Sequence, residues 1–202
     1  MLSRKISGRP QSEGNAVSTT ARLTLAEYDR MIQSGVFDHG KRRRLEFIRG
    51  EIREMTPIGS PHEEVVDRLN RWSVKNLPEE RVRVRVQNSI GLPELESAPE
   101  PDIAWVAERT YWRGRPTAAD VLLVVEVADS SLSYDRGEKA DLYAQAGIVD
   151  YWVVSIPGRE IEVHRDPQDG RYRSLETYRG EDEIRPLAMP ELTLRPVMLW
   201  PS

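Results

Sequence analysis

The segment VLLVVEVA (Val121–Ala128) is apolar at every position but one. Alternating apolar and polar residues are typical of a strand with one face in water, whereas apolar residues on both faces indicate a strand that is covered on both sides. The run is also far shorter than the roughly 20 residues of a membrane-spanning helix. We therefore expect a central strand of a sheet packed between helices, with Glu126 as an acidic exception in its interior.

Helix and strand patterns alternate along most of the remaining chain. In RVRVRVQ (residues 81–87), valines occupy one face and arginines the other, which is the period-two pattern of a half-buried strand. The other predicted elements are a helix capped by Thr24, a hairpin that turns at Arg49–Gly50, a helix over residues 62–77, a strand over residues 102–106, a helix from an N-cap at Asp135 to Gly147 with Glu138 completing a capping box, the buried strand YWVVS, and a hairpin split by DPQDG.

The order of these elements from residue 61 onward is α-β-β-β-α-β. Interleaved helices and strands predict an α/β (α+β) fold in which helices flank a mixed sheet. An N-terminal helix and hairpin precede this core, and a C-terminal hairpin follows it. We expect residues 1–22, rich in Ser, Thr, Gly and Arg, to be a flexible tail. Residues 23–202 then form a single domain, since a domain typically has about 150 residues.

The composition excludes several classes of protein. The chain has 29 Lys and Arg, 33 Asp and Glu, and no cysteine. It is therefore neither a polybasic phosphate binder nor a protein built on disulfides, thiolate-bound zinc or iron–sulfur clusters. No apolar stretch resembles a signal-peptide core or a membrane span. We expect a cytoplasmic protein without membrane contact.

Two acidic residues occupy positions where acids are costly. Glu126 interrupts the most apolar segment, and Asp102 follows Pro101 at the start of a neighbouring predicted strand. Two carboxylates about 4 Å apart repel by roughly 4 kcal/mol at an effective dielectric near 20. A divalent cation removes this repulsion, and an oxygen-only set of ligands suits Mg²⁺ or Mn²⁺. We expect Lys139, on the packed face of the following helix, to lie close to these carboxylates.

These residues resemble the PD-(D/E)xK nuclease superfamily and, more closely, its Uma-type restriction-endonuclease family. The resemblance spans about residues 23–200, and the segments that carry it in order are RLEFIRGEI, SPHEEVV, EPDIAWV, VVEVADSS, DRGEKADLYAQAG and VDYWVV. It implies a restriction-endonuclease-like core. It also implies an endonuclease that hydrolyses DNA phosphodiester bonds with Mg²⁺ (or Mn²⁺) as its cofactor.

The resemblance implies a role for each matching residue. Asp102 and Glu126 correspond to the metal ligands, with the backbone carbonyl of Val127 as a third. The superfamily usually has a lysine two residues after the second acid, where this chain has Ala128. In the Uma-type pattern the lysine belongs to the following helix, which implies a catalytic role for Lys139.

Other positions have two interpretations. Glu51 corresponds to the family's hairpin glutamate and is a further catalytic candidate near the metal. Glu46 and His62 are either structural residues or lining residues of the site. The arginine face of residues 81–87 either contacts nucleic acid, the interpretation we favour, or protects a strand edge against aggregation. The arginines of this face are Arg81, Arg83 and Arg85.

The favoured function is that of an Mg²⁺-dependent endodeoxyribonuclease. DNA is then the partner, no organic cofactor is required, and a homodimer would allow two sites to cut two strands. Structural alternatives remain for each acid, since Asp102 could cap a turn and Glu126 could pair with a buried arginine. At the level of function, the alternatives are a catalytically inactive nuclease fold that binds nucleic acid or a protein partner, and a hydrolase of smaller phosphodiesters.

Overall fold

The computed structural model of the protein describes residues 20–37 and 44–201. Residues 1–19 of the predicted tail lie outside this range, as do residues 38–43. The helices are α1 (Leu25–Gln33), α2 (Ser60–Asn76), α3 (Leu132–Tyr134) and α4 (Ala140–Gln145), the last two joined by a π-helical turn over Asp135–Lys139. The strands are β1 (Leu45–Ile48), β2 (Glu51–Glu54), β3 (Val82–Val86), β4 (Ile103–Ala107), β5 (Val121–Ala128), β6 (Asp150–Ser155), β7 (Glu160–Gln168) and β8 (Arg171–Arg179).

Strands β3 to β8 form one sheet in the order of the sequence, and β1 pairs with β2 in a separate hairpin. Neighbouring strands are antiparallel except β5 and β6, which are parallel and are connected through α3 and α4. The predicted mixed sheet and the order α2-β3-β4-β5-α3/α4-β6 are therefore confirmed. Of the described helices, none combines the length and the apolar character needed to cross a bilayer.

Strand β5 is buried on both faces, as its sequence predicts. Val125 and Val127 belong to the core that α2 covers, whereas Val124 and Ala128 belong to the core on the opposite face, which includes Tyr143 of α4. Burial of each such valine or larger apolar side chain contributes about 1.5–3 kcal/mol. Because side chains alternate along a strand, Glu126 lies on the α4 side of the sheet.

The hairpin β1–β2 turns at Arg49 and Gly50, as predicted. Both residues have positive φ angles, 52° and 80°, and a two-residue hairpin turn of type I′ requires positive φ at both positions. The Ala98 N–H donates to the Phe47 carbonyl, and the Gly50 N–H donates to the Glu96 carbonyl at 2.9 Å. These bonds fix the hairpin against the loop that precedes β4, on the side of the sheet that α4 covers.

The prediction of an N-cap at Asp135 is wrong. Helix α3 begins at Leu132, and Asp135 has helical backbone angles of −69° and −38°. Its buried carboxylate accepts a hydrogen bond from Ser131 Oγ at 2.6 Å, and Glu138 pairs with an arginine of β2 instead of completing a capping box. The π-helical turn buries both Asp135 and Lys139. Such turns occur frequently at functional sites.

Candidate active site

Asp102 and Glu126 lie side by side at one end of the β4–β5 pair. Ile103 pairs with Val125 in the antiparallel register, which places Asp102 opposite Glu126 with both side chains on the same face. The Asp102 N–H is 3.4 Å from Glu126 Oε2, and both residues are buried. The structure thus brings together the two acids that the sequence analysis singled out.

Hydrogen-bond donors surround the Asp102 carboxylate. Its Oδ2 accepts from His62 Nε2 at 3.0 Å and from the Val127 N–H at 2.9 Å, and its Oδ1 accepts from Gln87 Nε2 at 3.1 Å. Burial alone would raise the pKa of Asp102, but the bonds from His62 and Val127 outweigh it and hold the pKa below its usual value. Asp102 is therefore an ionised carboxylate at neutral pH.

The Glu126 carboxylate is bound to the helix that follows β5. Its Oε1 accepts from Lys139 Nζ at 2.9 Å and from the Tyr143 hydroxyl at 2.7 Å. Lys139 Nζ also donates to Glu46 Oε1 at 2.9 Å, which makes one buried cation the shared partner of two buried acids. Glu46 is 2% exposed and lines the cleft, as one of its two interpretations predicts.

Burial and neighbouring charges shift the pKa values of this network in opposite directions. Burial raises the pKa of Glu126 to about 8, the Asp102 charge adds to the rise, and the Lys139 ammonium opposes it. Burial disfavours the charge on Lys139, yet the carboxylates of Glu126 and Glu46 hold its pKa well above the usual value. Lys139 is thus a permanent cation, whereas Glu126 exchanges a proton near neutral pH.

These residues line a cleft with a volume of about 330 Å³. Among the described residues, its wall carries seven carboxylates against three permanent cations, Arg44, Arg53 and Lys139. The carboxylates belong to Glu46, Glu54, Glu100, Asp102, Glu126, Asp129 and Asp135. The described part of the wall therefore carries an excess of acidic groups. Burial together with the neighbouring Glu46 raises the pKa of Glu100.

The oxygen atoms of the cleft are suitable ligands for a hard divalent cation. Asp102, Glu126 and Glu46 supply carboxylate oxygens, and Glu46 Oε2 is buried with no hydrogen-bond partner among the described residues. The Val127 N–H points to Asp102, and the carbonyl of a strand residue faces the same edge as its N–H, so this carbonyl lies on the side of the acids. Within residues 20–37 and 44–201, no cluster of three or more Asp, Glu, His or Cys side chains has the arrangement of a metal site. Two carboxylates completed by waters are the usual protein contribution to Mg²⁺.

Several predicted site residues lie elsewhere. Glu51 does not line the cleft, because it sits at the turn end of the β1–β2 hairpin, where its carboxylate pairs with Arg22 at 2.9 Å and Arg53 at 3.0 Å. The arginine face of β3 also lies outside the cleft. His62 does line it, at the N-terminal turn of α2.

Several polar residues of the site were not predicted from the sequence, including Gln87, which donates to Asp102. Asp135 is buried in the cleft wall, Glu100 donates its backbone N–H to Glu46 Oε1 at 2.9 Å, and Tyr143 bonds Glu126. One signal for Asp135 was available, since it precedes Lys139 by four residues and therefore shares a helix face with it.

The sheet and its site together define a class of protein. The fold is restriction-endonuclease-like: a mixed sheet has helices on both faces. Its site has a carboxylate pair at the ends of two adjacent antiparallel strands and a lysine from the next helix. A model of the family described as "Uma2: Putative restriction endonuclease" matches residues 25–197. The chain belongs to this family, and the resemblance seen in its sequence is confirmed.

Comparison with solved structures supports the fold. The chain is similar to "a putative nuclease belonging to DUF820" from Anabaena variabilis ATCC 29413, with a TM-score of 0.66 and 16% sequence identity. The match covers 88% of this chain and 97% of that chain. No curated protein matches the chain.

Proposed function

We propose that the protein is a metal-dependent endonuclease that hydrolyses DNA phosphodiester bonds in the acidic cleft. Membership of a nuclease family and the restriction-endonuclease-like fold support a hydrolase of phosphodiesters. The observation that carries the proposal is the buried trio of Asp102, Glu126 and Lys139, in which Lys139 Nζ is 2.9 Å from Glu126 Oε1. A purely structural ion pair between Lys139 and Glu126 would not explain why a second buried acid, Asp102, lies at the same point of an open cleft.

The proposed metal ligands are the carboxylates of Asp102 and Glu126 and the carbonyl of Val127. A bound Mg²⁺ or Mn²⁺ supplies Lewis acidity, which lowers the pKa of a water molecule and polarises a phosphoryl oxygen. Glu126 would have to lose its proton to serve as a ligand, because burial raises its pKa to about 8. His62 holds the Asp102 carboxylate through Oδ2.

Lys139 is the proposed electrostatic catalyst. Its ammonium remains charged in the buried network, so it can orient a water molecule and offset the negative charge that develops on the phosphoryl group. Glu46 holds it from the opposite side. The positively charged end of this side chain is therefore fixed in place before a substrate arrives.

A second candidate function is a nuclease fold that binds a partner without turnover. The observation in its favour is that both acids already have protein counter-charges or donors: Lys139 for Glu126, and His62 for Asp102. In that case the cleft would be a structural network. The homodimer, the DNA partner and the cytoplasmic location stay predictions.

Plasmid nicking with Mg²⁺ or Mn²⁺ distinguishes the two functions. We expect the parent to nick supercoiled DNA and Asp102→Asn to lose this activity, with both proteins folded by circular dichroism. Asp67→Asn, which removes an exposed carboxylate on the outer side of α2, is the matched control and should cut as the parent does. Absence of metal-dependent nicking in the parent, or equal nicking by Asp102→Asn, would contradict the proposal.

A further inference from the structure

Trp112 is exposed to an unusual degree. The residue has 92% of its surface accessible, whereas Trp105 and Trp152 are completely buried in the core. Tryptophan is highly buried on average in folded proteins because it carries so much apolar surface. Trp112 lies in the connection between β4 and β5 and presents this surface directly to solvent.

The connection that carries Trp112 is anchored on both sides. The Tyr111 hydroxyl donates to the Ala107 carbonyl at 2.8 Å, and the Gly91 N–H donates to the Pro116 carbonyl at 2.7 Å. Two more bonds hold Arg115, three residues after Trp112: its Nε donates to Ser89 Oγ at 2.8 Å, and its Nη1 donates to the carboxylate of Asp29. The indole is thus presented from a fixed base and has not simply been left outside by a loose loop.

Arginines surround the base of this connection. The guanidinium groups of Arg83, Arg85 and Arg109 lie 5.9, 5.8 and 5.3 Å from the centre of the Tyr111 ring. At such distances each cation is attracted to the face of the ring. Arg113, next to Trp112 in the chain, adds a further positive charge.

Arg85 differs from Arg83 and Arg109 in having no acidic partner within residues 20–37 and 44–201. Arg83 Nε donates to Glu108 at 2.9 Å, and Arg109 pairs with Asp120. Within the described part of the chain, the guanidinium of Arg85 makes no ion pair or hydrogen bond, and its Nε is buried without a partner. Burial and the neighbouring Arg83 lower the pKa of Arg85, as expected of a cation without a compensating charge.

The arginines and the acidic cleft share one face of the sheet. Arg83 pairs with Val106 and Arg85 pairs with Ala104, so these arginines project from the same face as Asp102, two residues before Ala104. Strand β3 is an edge strand of the sheet. A polymer bound along this edge can therefore reach the cleft without crossing to the other side of the sheet.

We propose that Trp112 and the unpaired Arg85 form a binding site for single-stranded nucleic acid, with one base stacked on the indole and a phosphate bound by the guanidinium. Proteins that bind single strands combine basic grooves with exposed aromatic rings in this way. In a duplex the bases are paired and stacked on each other, so none of them is available to stack on the exposed indole. A single strand has such bases. An acidic protein partner would satisfy Arg85 but would not require a fully exposed aromatic face.

Fluorescence anisotropy tests the site in the presence of EDTA, so that cleavage plays no part. The probes are a fluorescein-labelled 20-nucleotide oligothymidylate and a labelled duplex of equal length. We expect Trp112→Ala to weaken binding of the single strand by about 5- to 100-fold, with partial recovery in Trp112→Phe. Arg85→Gln should also weaken it, and binding should fall steeply as salt rises.

The matched control is Arg171→Gln, which removes an exposed arginine from β8, the opposite edge strand of the sheet. It should bind as the parent does. Quenching of the solvent-exposed Trp112 emission by oligothymidylate, absent in Trp112→Phe, reports stacking directly. Equal affinity of Trp112→Ala and the parent, no binding of the single strand, or a duplex preference that depends on Trp112 would each overturn the proposal. A protein that binds the single strand but never cuts DNA would support this binding site and contradict the nuclease function. The two proposals therefore fail on different results.

Discussion

Replacement of Lys139 by methionine tests whether the buried network is held together by charge. Lys139 has 3% of its side chain exposed, and its Nζ is 2.9 Å from both Glu46 Oε1 and Glu126 Oε1. Methionine has nearly the same length and fills the space without the charge. The substitution leaves two buried acids without their shared cation.

The expected loss is large for a single substitution. Breaking a buried ion pair by removing one partner costs about 3–5 kcal/mol, because the remaining charge is uncompensated. Urea unfolding followed by circular dichroism at pH 7 in EDTA measures it, against a total stability of about 5–15 kcal/mol for a typical domain. A midpoint of thermal unfolding lower by roughly 6–20 °C should accompany the change.

Two further variants make this result specific to charge. Lys75→Met removes an exposed lysine from the last turn of α2 and should change stability by less than about 0.5 kcal/mol. Adding Glu46→Gln to Lys139→Met should recover part of the loss, because it removes one uncompensated acid. A loss below about 1 kcal/mol for Lys139→Met, the size of a surface pair, would refute the reasoning.

Two more predictions concern Glu126 and Gly50. Because the pKa of Glu126 is about 8 in the folded protein and near 4.5 when unfolded, the folded state binds the extra proton between these values. The free energy of unfolding of the parent should therefore fall relative to Glu126→Gln as the pH rises from 5 to 8 in EDTA, by up to about 1.4 kcal/mol per pH unit. A difference that does not vary with pH, measured by urea unfolding, would contradict this. Gly50→Ala should cost at least about 1–2 kcal/mol, because φ is +80° and the new Cβ would lie 2.8 Å from the Leu23 carbonyl oxygen, whereas Gly114→Ala meets nothing within 4 Å and should be neutral.

The fold was predictable where local patterns and packing agree. The alternation of RVRVRVQ and the two apolar faces of VLLVVEVA describe an edge strand and a central strand, and the structure has both. Helix α1 also begins directly after Thr24, as its sequence predicts. In each case the residues that set the local geometry are close together in the chain.

The start of the helix after β5 was not predictable from local signals. Asp135 and Glu138 have the spacing of a capping box, but tertiary contacts override it. The Tyr151 hydroxyl donates to the Asp135 carbonyl at 2.9 Å, and Arg53 of the β1–β2 hairpin donates to the Glu138 carboxylate at 2.8 Å. A helix that packs on the sheet gains more from these contacts than from a solvent-exposed cap.

Part of the candidate site follows from adjacency in the sheet and part does not. Asp102 and Glu126 meet because consecutive antiparallel strands place them opposite each other. Glu46 reaches Lys139 from 93 residues away, which depends on how the β1–β2 hairpin docks on the loop before β4. Glu51 belongs to the same hairpin but lies at its turn. A family pattern with a hairpin glutamate therefore does not by itself decide whether Glu46 or Glu51 enters the cleft.

Diffraction from a crystal soaked in Mn²⁺, recorded where the metal scatters anomalously, shows whether Asp102 and Glu126 hold a divalent cation. We expect a peak within bonding distance of one oxygen each from Asp102 and Glu126, with the Val127 carbonyl adjacent. We also expect Asp102→Asn crystals to lack the peak under the same soak. A fully soaked crystal with no anomalous density between Asp102 and Glu126 would contradict the proposed metal site.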